Sequence, residues 1–462
     1  MRRSTTAVLL LVACLSGAGE AAAQTPPPAP APAPPPPPAA APAAPPPAAA
    51  PAPAPAPAPA PEPAAAPPPP VVPAAAPAAG APAAPAAAGN WYDKFSADAF
   101  ADAYGNINWN FPKPQWGNGA PIRAYDQAQG FSLNQIGFNG SYSSDYVGGT
   151  ISLRFGPEAA LYNTAVSETN AGTADNNFGL QNVRQAYATL KPVDKVTFDL
   201  GKWDQPFGSE VPDSQLNFFY TRSLLFQLNQ PVFFTGLRFD YAAADAVDLK
   251  LFVANGWNNS IDNNTSKTFG GQLMLKPMDS LIFYIGGAAG PEQTDFIPAP
   301  TVLNVPPVNT GMGAGPVPGA DSHWREIVDL VIDYNPTSAL SFALNGDFDN
   351  ESDFGGGTQS ETWYGVNLGI KYVVADPFAI AVRGEYFSDN HGGIVPNVAT
   401  PGTRSNVESA TLTLSYVAAS KLTLMLDNRV DFANSELFAG TSGPEVSKTL
   451  FTTTLGAIIA TK

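Results

Sequence analysis

Groups able to do covalent or metal chemistry are sparse in this chain. Its only histidines are His323 and His391, and its only cysteine is Cys14. A hydrolase needs a nucleophile or an activated water with a base beside it, most often histidine. Neither histidine stands in a serine or paired-aspartate pattern, and no His/Cys spacing suits a metal. The stretch DFDNESDFGGG, Asp347–Gly357, spaces its acids like a calcium loop. It lacks the twelve-residue ligand order and the flanking helices of one. No glycine-rich phosphate loop follows a strand and opens a helix. The residues predict neither an enzyme nor a bound cofactor or metal.

Charges at alternate positions are what the chain does offer. Arg383 and Glu385 stand two apart, as do Asp427 and Arg429. On a strand, that spacing puts both members of a pair on one face. The chemistry available to such a face is electrostatic: fixed charges along a wall that sort ions or pair with one another. A net charge of −16, from 39 acidic and 23 basic residues, argues against nucleic acid as a partner.

The elements that carry these charges repeat. LKPVDKVTF begins at Leu190 and LKPMDSLIF at Leu275, with looser copies at Tyr241, Tyr334, Tyr372 and Tyr416. On either side of each copy the hydrophobic period is two, as for half-apolar strands. Val196, Phe198 and Leu200 oppose Thr197 and Asp199; Leu424, Leu426 and Val430 oppose Asp427, Arg429 and Asp431. Each copy therefore reads as strand, short turn, strand, with Pro192, Pro277 and Pro336 in the turn. The stretch YSSDYV at Tyr142 is a seventh, shorter copy. One further strand at each end, Ala97–Phe111 and Lys448–Ala460, predicts sixteen, within a range of fourteen to eighteen.

The connections alternate in length. Short turns are followed, one strand later, by long polar loops: 112–130, 156–181, 203–230, 257–266, 291–322, 351–361, 389–406 and 434–447. Even strand number, short turns at one end and long loops at the other predict an all-β fold, a transmembrane antiparallel β-barrel. Tyr241, Tyr334, Tyr372 and Tyr416 fall where an interfacial aromatic girdle belongs. Residues 1–23 read as a signal peptide, with Arg2 and Arg3 before an apolar run. LVAC at 11–14 alternatively resembles a lipobox, in which Cys14 would be lipidated. Residues 24–89, nearly all proline and alanine, predict a disordered periplasmic linker, and 90–462 the outer-membrane barrel.

GKWDQPFGSEV (Gly201–Val211), the stretch from Asn217 to Tyr241, VANGWNNSIDNNTSKTFGGQL (Val253–Leu273), ETWYGV (Glu361–Val366) and AVRGEYF (Ala381–Phe387) resemble the OmpL-like beta-barrel porin family. The resemblance implies a bacterial outer-membrane barrel with channel activity and no particular substrate. The chain departs from the family pattern at Phe234, where members commonly carry histidine, and at its end, Lys462, where an aromatic is usual.

Sixteen strands leave room for an aqueous channel. Parity from the turns puts Asp199, Asp240, Asp248, Asp329, Asp333, Asp347, Asp349, Glu385, Asp427 and Asp431 in the lumen. It places Arg238, Lys250, Arg325, Lys371, Arg383 and Arg429 there too. Acids outnumber bases, which predicts a mild preference for cations; mutual pairing of these charges is the alternative. The third long loop, 203–230, is too apolar to stand in water. It is expected to fold inward, with Asp204, Glu210, Asp213 and Arg222 as the constriction, unless it packs as an extracellular cap. The predicted partners are outer-membrane lipid and small hydrophilic solutes or cations. The cell wall, reached through residues 25–88, and a homotrimer are further candidates. A structural barrel tethered by the Pro/Ala tract, with its pore plugged, is the competing reading.

Overall fold

A computed structural model describes residues 91–113, 122–123, 129–162, 180–293, 296–297, 315–316, 320–354, 359–395, 397, 400–443 and 446–461. The predicted signal peptide, the Pro/Ala tract and Cys14 lie outside these residues.

Sixteen antiparallel strands close into one barrel. In chain order they are β1 Phe95–Asn108, β2 Gly130–Ser143, β3 Val147–Phe155, β4 Val183–Val193, β5 Val196–Asp204, β6 Phe233–Ala244, β7 Val247–Ala254 and β8 Thr268–Met278. They continue as β9 Leu281–Pro291, β10 Trp324–Thr337, β11 Leu340–Glu351, β12 Glu361–Ala375, β13 Phe378–Asp389, β14 Ser405–Ala418, β15 Leu422–Ala433 and β16 Thr449–Ala460. Each strand pairs with its neighbours in sequence, and β1 closes the ring on β16, from Phe100 opposite Ala460 to Asn108 opposite Thr452. Closure leaves no open sheet edge, which a bilayer would not tolerate. A two-residue ladder, Phe296–Ile297 with Gly315–Pro316, lies in the excursion between β9 and β10.

The nine-residue repeat now has a physical meaning. In all six copies its first and ninth residues are cross-strand partners: Leu190 with Phe198, Tyr241 with Leu249, Leu275 with Phe283, Tyr334 with Phe342, Tyr372 with Ile380, and Tyr416 with Leu424. In the first five the register shifts before the strands meet again at the turn, as at Leu190/Val193. Pro192, Pro277 and Pro336 thus sit in these irregularities, one step earlier than the turn the sequence suggested. An unpaired bulge position needs no ladder N–H. The end strands also slip: β1 stops at Asn108 and not Phe111, and β16 starts at Thr449.

Alternation sorts the two faces as expected along most strands. On β11, Ser341, Ala343, Asn345, Asp347 and Asp349 are buried toward the interior, while Phe348 is exposed on the outer face. Tyr241, Tyr334, Tyr372 and Tyr416 are exposed at the turn end of the outer face. The interior is less uniformly polar than the pattern implies. Trp363, Phe387 and Val407 point inward from β12, β13 and β14 and form a buried cluster with Leu224 and Phe438. Trp203, Phe234, Phe252 and Ile327 form another with Phe207. Both clusters include a residue from the long segment between β5 and β6.

Candidate functional site

That segment, residues 205–232, is shaped by its own polar groups before it meets the wall. Arg222 is its internal clasp. Its guanidinium donates to the carbonyl oxygens of Val211 (2.8 Å) and Pro212 (3.0 Å) on one side, and of Phe219 (3.1 Å) and Tyr220 (2.7 Å) on the other. Ser223 starts the single helical turn Leu224–Leu228, its Oγ accepting from the Phe226 N–H at 3.1 Å. The Glu210 carboxylate accepts from the Ser223 N–H at 2.6 Å, which holds the two limbs of the segment together.

Carboxylates from strands around the barrel receive the segment's N–H groups. Asp427 on β15 accepts from the backbone of Tyr220 (3.3 Å) and Thr221 (2.8 Å) and from the Thr221 hydroxyl (2.9 Å). Glu385 on β13 takes the Leu224 N–H at 2.5 Å, and Asp329 on β10 takes that of Gly208 at 3.1 Å. Asp349 and Asp347 on β11 accept from the side-chain amides of Asn229 (2.6 Å) and Gln230 (2.7 Å). Asp102 on β1 accepts from the hydroxyls of Tyr220 and Ser214, both at 2.8 Å. Hydrogen bonds to charged groups are among the stronger ones, at ~1.5–3 kcal/mol each net.

Shape supports the same contact. Four glycines of the wall lie directly under apolar side chains of the segment. A Cβ at Gly456 would stand 2.1 Å from the Tyr220 ring, at Gly365 2.6 Å from Leu225, at Gly286 2.8 Å from Phe207, and at Gly369 3.1 Å from Phe219. At the first three a side chain would force the segment to shift, and at Gly369 the Phe219 ring would have to give slightly.

The predicted site residues fall into two groups. Asp204, Glu210 and Asp213 line a cavity of about 370 Å³ between the first limb of the segment and the wall, together with Arg238, Lys250 and Asp333. Asp199 and Asp240 stand behind this lining, Asp199 paired with Arg238 at 2.6 Å and Asp240 with Lys250 at 2.9 Å. Asp329, Asp347, Glu385, Asp427, Arg383 and Arg429 lie under the segment and hold it. Arg383 bridges Glu210 (2.6 Å) and Glu385 (2.7 Å); Arg429 bonds Asp431 at 2.8 Å and the Arg222 carbonyl oxygen at 2.6 Å. Arg222 is not in the cavity lining, because its guanidinium is spent within the segment. Lys371 lies 5.4 Å from the Phe218 ring centroid, as a cation over an aromatic face.

Sequence parity missed Arg154 and Arg184, on β3 and β4, which also line the cavity. Arg154 grips Asp213 through two bonds, 3.1 and 2.8 Å, and Arg184 pairs with both Asp213 and Asp204. Burial alone would raise the Asp213 carboxyl; the Arg184 and Arg154 guanidiniums outweigh it and hold Asp213 below the usual carboxylate range. Burial, and then the charge of Asp102, push the Tyr220 phenol well above its ordinary value, so it donates and stays neutral. His323 and His391 lie toward the loop end, each beside one carboxylate, Asp353 at 3.1 Å and Glu361 at 3.4 Å. Among the described residues no group of three or more His, Cys, Asp or Glu is placed to hold a metal.

Residues 94–459 match the family described as "Putative beta-barrel porin-2, OmpL-like". The chain belongs to this family. As an OmpL-like porin it is a barrel of the Gram-negative outer membrane with a general porin-like transport function, and the family is not one of enzymes. In-vitro folded OmpT, an outer membrane protein of Vibrio cholerae, is similar in fold, with a TM-score of 0.50 at 12% identity over 79% of this chain and 97% of OmpT. The outer membrane channel DcaP of Acinetobacter baumannii aligns with a TM-score of 0.48 at 10% identity, over 79% of this chain and 96% of DcaP. An anion-selective porin from Comamonas acidovorans aligns at 0.47 and 11% identity, over 79% of this chain and 99% of the porin. The comparison with curated proteins returns no match.

Proposed function

We propose that this OmpL-like porin passes small hydrophilic solutes and ions through the space left between segment 205–232 and the wall from β1 to β10, with a mild preference for cations. The cavity carries the reading. Its lining reaches from Asp204, at the loop end of β5, to Asp98 and Asp333, near the turn ends of β1 and β10. A charged, water-compatible lining of that extent suits a pore and not a packed core. Segment 205–232 acts in this reading as the constriction, with Asp204, Glu210 and Asp213 at its pore face. Five acids, Asp98, Asp204, Glu210, Asp213 and Asp333, face four bases, Arg154, Arg184, Arg238 and Lys250, so the lining has a small acidic excess. A homotrimer belongs to the same reading.

Single-channel conductance of the refolded full chain in a planar bilayer, with reversal potential under a salt gradient, tests it. Steady open steps with a cation-favouring potential are expected. Open steps with no preference would remove the charge argument and leave the pore.

The tether is a second reading, and the number of contacts holding segment 205–232 favours it. β1 begins at the turn end of the barrel, Phe95 opposite Tyr142, so the Pro/Ala tract would leave on the periplasmic side and meet the cell wall. Deleting residues 25–88 distinguishes the two. A channel keeps its conductance without them, whereas loss of a tether leaves a loose envelope with conductance unaffected or absent throughout.

A further inference from the structure

The wall acids differ in what they hold, and one of them holds nothing. Among the described residues neither carboxylate oxygen of Asp333 has a hydrogen-bond partner, although Asp333 is only 3% exposed. Its register neighbours, Ile282 on β9 and Ala343 on β11, carry no charge. Two interior lysines are engaged elsewhere. Lys250 donates to Asp240 and Asp248, and Lys371 lies over the Phe218 ring. Asp333 and Tyr284 both line the cavity, at its turn end.

We infer that Asp333, with Tyr284 of the neighbouring strand lining the same cavity, is a binding step for a monovalent cation or a primary ammonium group on its way through the pore. The inference rests on the porin reading above and names the residue in which its cation preference resides. An isolated buried carboxylate is costly unless something positive meets it. The other acids of the interior have their partner built in: Asp213 has two arginines, Asp427 the N–H groups of Tyr220 and Thr221, and Asp199 has Arg238. Asp333 alone among these is arranged so that its partner must come from solution. A single fixed charge in a narrow lumen concentrates the opposite ion locally, and the effect fades as salt screens it.

The test is planar-bilayer recording of the full chain in KCl, comparing wild type with Asp333→Asn and Asp333→Glu. Asp333→Asn is expected to lower the cation-over-anion permeability ratio by a factor of about two or more. It should reduce conductance near 0.1 M KCl, where the Debye length is ~10 Å, and leave it unchanged at 1 M, where it is ~3 Å. Asp333→Glu should restore both. A conducting wild type with the same reversal potential and low-salt conductance in Asp333→Asn would overturn this inference and leave the porin standing. An equal loss at both salt concentrations would also overturn it, since that marks distortion of the lumen and not a lost charge. Silence from folded wild type would remove the porin reading and this step with it.

Discussion

Arginine at Leu368 tests whether the outer face meets hydrocarbon. Leu368 points outward on β12, between Leu344 of β11 and Gly384 of β13. Tyr372 lies four residues toward the turn end on the same face, and Tyr364 four residues toward the loop end, its ring 6.4 Å from that of Tyr386. A strand rises ~3.4 Å per residue, or ~2.6 Å along the barrel axis at the usual tilt of such strands. The two tyrosines are then roughly 21 Å apart in depth, close to the ~25 Å apolar band of outer-membrane barrels, and Leu368 stands midway. Leu368→Arg should cost ~2–4 kcal/mol of folding free energy, and Val374→Arg, exposed beyond Tyr372, only ~0–1 kcal/mol. Reversible urea unfolding in lipid vesicles measures both. The refuting result is Leu368→Arg within ~0.5 kcal/mol of wild type, the usual range for exposed positions in water. Large and equal losses at both positions would also refute it, because they indicate a face packed on protein and not on lipid.

Two other perturbations address the segment and the loop end. Gly456→Val puts a branched side chain where even a Cβ meets the Tyr220 ring, so Tyr220 must leave Asp102. Larger or noisier conductance steps with an intact barrel are expected in single-channel records, and unchanged steps would show that the second limb does not narrow the pore. Glu292, just past β9, accepts from the Thr268 hydroxyl and the Trp257 N–H, and burial raises its carboxyl from 4.5 to about 7. A raised acid favours the folded state while protonated, so its contribution is full below pH ~4.5 and is lost as pH climbs through about 7. The loss amounts to ~3 kcal/mol at ~1.36 kcal/mol per unit. Urea midpoints of wild type should therefore fall across that window relative to Glu292→Gln, and parallel pH profiles would contradict the assignment.

Strand number and the alternation of faces are local properties, and that is why the sequence exposed them. The alternation at Val196–Leu200 or Leu340–Asp349 is written in consecutive residues, and the nine-residue repeat marks each turn. The parity rule weakened where the outer face is made of small residues, as in GSYS of β2 and VGGT of β3. Arg154 was lost for that reason, and Arg184 because β4 slips in register against β3 between Gln185 and Val183, which reverses the parity there. Arg222 looked like a pore residue because charge in a loop suggests solvent, yet five hydrogen bonds inside the segment account for its guanidinium. The sockets at Gly286, Gly365, Gly369 and Gly456 could not be read, since a glycine in a strand does not say which distant side chain lies above it.

The same limit applies to the charge argument, and it changes what the acidic excess means. A count of luminal carboxylates treats each as an equal attractor of cations. In this barrel Asp427, Glu385, Asp329, Asp347 and Asp349 accept hydrogen bonds from N–H groups more than 100 residues away in sequence, and so serve as anchors for segment 205–232. Asp199 and Asp213 are matched by arginines. A carboxylate already matched adds little to the field in the lumen, because the potential follows the uncompensated charge. Selectivity in such a pore is then decided by the few acids without a partner, which makes the neutralisation of Asp333 more informative than that of any ring of paired acids around it.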